Sequence, residues 1–132
     1  MGEWLDRAVI VSPIYYGLCT NEAGYHKLLR GLKVPKDTWP SFVLPNSGAT
    51  THYFTTEEGK VSAIVCILVP KGITLIQIHS LLTHEAMHLW REIRQQLREE
   101  EPSPEFEAYA IQAISQNLMY SYEKQTTPKK KV

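Results

Sequence analysis

The sequence predicts an α+β domain, and three observations carry that prediction. Residues 49–69 read as two strand-like segments, ATTHYFTT and VSAIVCILV, joined by the turn-forming EEGK. After Pro70-Lys71-Gly72 the hydrophobic period lengthens to that of a helix, and Thr74 with Gln77 three residues on fits a capping box. Ser103-Pro104 then opens a second helix, with Ser103 as N-cap and Pro104 where its missing N–H costs nothing. At 132 residues and 43% hydrophobic, the chain suffices for one domain with one real core.

The elements follow in order. Ala8 to Val11 form a short apolar run closed by Ser12-Pro13, equally compatible with a strand or a short helix. Asn21 is a good N-cap for a helix over Glu22 to Arg30, with Gly31 near its end. Residues 34–48, VPKDTWPSFVLPNSG, carry three prolines and read as a loop with one helical turn at its centre. In the hairpin, the second run is apolar on both faces and suits a covered strand. The first alternates less cleanly and suits an edge. The long helix should run from about Leu75 to Arg98, and the last from Pro104 to about Tyr122. Residues 1–122 therefore form the domain, and EKQTTPKKKV, residues 123–132, a polar flexible tail.

Charge and cysteine usage narrow the function. Lys+Arg and Asp+Glu each number 14, so there is no basic surplus to favour nucleic acid or an anionic membrane. Cys19 and Cys66 lie in apolar surroundings and are expected to be free buried thiols. No apolar run reaches the ~18 residues of a membrane span, and MGEWLDRAVIVSP lacks the features of a signal peptide. Asp6 stands where a myristoylation signal needs Ser or Thr. The expectation is a cytoplasmic protein.

The chemistry concentrates in LLTHEAMHLW, residues 81–90. The spelling HEAMH fits the pattern HExxH. Residues four apart share a helix face, so His84 and His88 can offer imidazole nitrogens to one ion. Glu85, about a quarter-turn away, is placed as a general base rather than a ligand. A zinc site needs a third ligand and an open position for water. The segment SPEFEAYAIQAI offers Glu105 and Glu107. Glu107 shares its face with Ala110, Ile111, Ile114 and Leu118, so a carboxylate there sits on a buried stripe and needs a partner. That partner could be a metal or an ion pair. Glu105 lies on a more polar side.

HEAMH followed by a glutamate on the next helix resembles the gluzincin branch of the zincin metallopeptidases. The resemblance implies a minimal zincin-like domain, with Zn²⁺ held by His84, His88 and Glu107 and Glu85 as base. It also implies that the strand around Thr50 to Phe54 lies antiparallel to an extended peptide substrate. The layout, including GLCTNEAGYHKLL and SPEFEAYAIQ, is similar to small zincin-like proteins of phages and prophages.

A transition-state donor beside the metal is also expected. His52, Tyr109 and Tyr120 are available, and none is assigned. His26 and His79 fall on other helix faces. The leading expectation is zinc-dependent hydrolysis of a peptide bond in a peptide or protein substrate. The alternative is a zinc-containing interaction or assembly protein with weak or no catalysis; a helix pair without metal is a third reading. Oligomeric state is left open.

Overall fold

The computed structural model describes residues 12–128. In chain order these form β1 (Ile14–Cys19), α1 (Glu22–Gly31), a 3₁₀ turn (Lys36–Thr38), β2 (Ala49–Thr55), β3 (Val61–Ile67), α2 (Leu75–Gln96) and α3 (Pro104–Thr126). The domain is thus a small α+β unit of a three-stranded open sheet and three α-helices among the described residues.

The sheet order is β1-β3-β2, with β3 antiparallel to β2 and parallel to β1. The largely apolar β3 is therefore the covered central strand, as its sequence suggests, and β2 is an edge among the described residues. Side-chain alternation divides the core in two. Val61, Ala63, Val65 and Ile67 face α2 and α3, joined by Ile14 and Leu18 of β1. Ile64 and Cys66 point the other way, packing with Tyr25 and Leu29 of α1 and with Phe42. The sheet is sandwiched between α1 on one side and the α2–α3 pair on the other.

The hairpin register fixes which backbone groups of β2 point away from β3. Leu68 N donates to Gly48 O at 2.9 Å, and Thr56 N to Lys60 O at 2.8 Å, at the two ends of the strand. Hydrogen-bonded and non-hydrogen-bonded pairs alternate in an antiparallel ladder. With Ala49 opposite Ile67 and Thr55 opposite Val61, the even-numbered residues of β2 bond to β3. Ala49, Thr51, Tyr53 and Thr55 turn their N–H and C=O groups to the open edge, while their side chains lie on the α2 face.

Helix ends follow local chemistry. Asn21 Oδ1 accepts from Gly24 N at 2.8 Å, and both halves of the Thr74–Gln77 capping box are made. Ser103 caps α3 through a bond from Phe106 N. One expectation lies outside the described residues and another is revised. The strand in the first twenty residues is IYYGLC, after Pro13, while Ala8 to Val11 lie outside the described residues. The last helix continues past Tyr122 to Thr126 instead of fraying. It does so because Gln125 Nε2 donates to Leu18 O at 2.8 Å, tying that last turn to β1.

Candidate metal centre

The central turns of α2 face two environments. Leu82, Ala86, Leu89 and Trp90 are buried against the sheet and α3, leaving His84 and His88 on the exposed flank. Between these faces Glu85 points at β2 and is only 4% exposed. Thr51 Oγ1 donates to its Oε2 at 2.5 Å. Among the described residues Oε1 has no partner, yet no buried polar side-chain atom goes unbonded. Oε1 is therefore the oxygen that the cleft can reach.

His84 Nε2 and His88 Nε2 lie 3.1 Å apart. Two nitrogens bound to one tetrahedral zinc at about 2.0–2.1 Å would be separated by about 3.3 Å. The pair therefore stands at nearly the spacing that a shared ion demands. Without an ion the same contact is an N–H···N hydrogen bond, one ring donating and the other accepting. His84, Glu85 and His88 each offer a ligand atom, all within 4.8 Å of one another. These residues fit the nitrogen-rich part of a zinc site.

Glu107 is placed elsewhere. Its Oε2 accepts from Trp90 Nε1 at 2.8 Å and lies 3.9 Å from a guanidinium nitrogen of Arg94. It faces α2, as its place on the apolar stripe predicts. The side it meets, however, carries Trp90 and Arg94, well round the helix from His84 and His88. Trp90 is buried, so its indole N–H must find an acceptor. In this arrangement the carboxylate is that acceptor and is not grouped with the histidines. Glu105 is exposed.

A cleft of about 290 Å³ opens over the centre, lined by Leu44, Thr50, Thr51 and Tyr53 beside His84, Glu85 and His88. Strand parity decides which candidate donors reach it. His52 points to the opposite face, where its ring stacks on Tyr25 and its Nε2 meets Phe42 O at 3.0 Å. Tyr109 and Tyr120 are 66% and 65% exposed on α3 and do not line the cleft. Tyr53 does. Burial pushes its phenol up to about 12, with the charges of Glu92 and Glu85 adding to the rise. The signal for Tyr53 was present in the sequence: it shares parity with Thr51, whereas His52 between them cannot.

The chain matches no protein-family model, no curated protein and no solved structure.

Proposed function

We propose that the chain is a zinc-dependent hydrolase of peptide bonds, a minimal zincin-like domain of the gluzincin type. The observation that carries the reading is the 3.1 Å pairing of His84 and His88 beside a buried Glu85 whose free oxygen reaches the cleft. His84 and His88 are the proposed nitrogen ligands. Glu107 is the proposed third ligand, and it must exchange Trp90 and Arg94 for the ion to serve as one.

Bound zinc supplies Lewis acidity, polarising a carbonyl and lowering the pKa of bound water towards ~7. The remaining work falls to side chains and backbone of this protein. Glu85 takes a proton from the attacking water as its oxygen bonds to the carbonyl carbon. It returns that proton to the amine as the C–N bond breaks. Thr51 holds the carboxylate in position through both transfers. The outward N–H and C=O groups of Thr51 and Tyr53 are suited to pair with an extended peptide, bringing one of its carbonyls over the histidines.

Metal content by plasma mass spectrometry, on protein purified without added zinc, is the first test. The expected result is close to one zinc per chain, lost in His84→Ala and His88→Ala. Glu85→Gln should keep the metal and lose cleavage of a mixed peptide pool by about 10²–10⁴-fold. A wild type that takes up no zinc removes the reading. Zinc with no cleavage in either form moves it to a metal-containing interaction protein.

A further inference from the structure

We propose that the Tyr53 hydroxyl is the donor that stabilises the oxyanion formed at the scissile carbonyl, a role resting on the hydrolase reading above. Three observations converge on it. Tyr53 lines the same cleft as His84, Glu85 and His88. It stands two residues from Thr51, the partner of Glu85, on the same face of β2. Its hydroxyl has no hydrogen-bond partner among the described residues, and the residue is 39% exposed, so the group is free to bond to something entering the cleft.

The chemistry suits the place. A phenol that stays protonated through the neutral range donates and does not compete as an anion for the metal. A donor aimed at developing negative charge acts mostly in the transition state, so its removal lowers turnover and leaves ground-state binding alone. The backbone of Tyr53 also faces the open edge. The residue that aligns the peptide main chain would thus carry the group that meets the peptide carbonyl, which fixes one position relative to the other.

The test requires no knowledge of the natural substrate. Cobalt(II) replaces zinc, and phenylphosphonate, a tetrahedral oxyanion, is titrated into wild type and Tyr53→Phe while the visible cobalt spectrum is followed. Tyr53→Phe keeps the ring, so the far-ultraviolet spectrum and cobalt stoichiometry should match wild type. The expected result is phosphonate affinity weakened tenfold or more in Tyr53→Phe and unchanged in Tyr120→Phe, whose ring stands outside the cleft. Cobalt uptake with equal affinities in wild type and Tyr53→Phe overturns the role of Tyr53 and leaves the metal centre standing. So does cobalt uptake with no phosphonate binding by wild type. Failure of wild type to take up cobalt overturns the hydrolase reading, and the role of Tyr53 with it.

Discussion

Glu85 is 4% exposed, and among the described residues no Lys or Arg pairs with it. A buried carboxylate in that position depends on the hydrogen bonds it accepts, and Thr51 supplies one. Bonds to charged groups are worth about 1.5–3 kcal/mol. Thr51→Val should therefore lower unfolding stability by roughly that amount in urea titration, and, under the proposed hydrolase function, cut turnover further than the lost stability explains. Glu107 answers a different need, that of the Trp90 indole. Glu107→Ala should cost about 1–3 kcal/mol because it strands a buried N–H. Glu107→Gln keeps an acceptor and should cost much less, so its metal content isolates the ligand role. Zinc lost from a stable Glu107→Gln protein would show that the carboxylate does change partners. The Arg94 contact adds little, since both side chains are over a third exposed.

At the scale of elements, local chemistry was legible and long-range pairing was not. The hairpin, the α2 capping box, the Ser103-Pro104 start and the helical turn amid three prolines all follow from neighbours within a few residues. β1 is different: Ile14 pairs with Val61, in a parallel register that no local pattern encodes. The continuation of α3 past Tyr122 depends on Leu18 in the same way. Of the centre, the histidine pair and Glu85 were readable because helical spacing alone brings them together. The position of Glu107 was not, because it turns on which flank of α2 the α3 helix meets. Two element-scale outcomes follow. Thr74→Ala should destabilise by about 1 kcal/mol through loss of the cap. Gln125→Ala should lower the melting temperature and speed amide exchange in the last turn of α3, where the sequence by itself would have placed a frayed end.

For the molecule as a whole, the layered packing sets the response to pH. Burial raises the Cys19 thiol from 9.0 to about 11, and Cys66 higher still. Burial also raises Tyr25 to about 12, as it does Tyr53. An acid whose folded pKa exceeds its unfolded value keeps its proton in the native state after the unfolded chain has lost it. The unfolded state then binds fewer protons, so stability falls as pH rises. The decline should begin near pH 9, where unfolded thiols titrate, and steepen past 10 as tyrosines join; thermal melts from pH 7 to 11 would show it. The same burial keeps the native thiols unreactive towards a disulfide reagent at pH 8 until denaturant is added. Under the proposed function, zinc should raise the melting temperature in proportion to the logarithm of its concentration above Kd, as any ligand of the native state must.

The outward-facing backbone of β2 has a further consequence, for colloidal behaviour. A strand edge that no described residue covers can pair with another strand, including the same edge of another copy. The formal net charge of zero at pH 7 supplies no repulsion to keep copies apart. Concentrated solutions at neutral pH should therefore self-associate through this edge. Thr55→Lys, which places a charge at an exposed position on the rim, should restore solubility, and light scattering against concentration would compare the two.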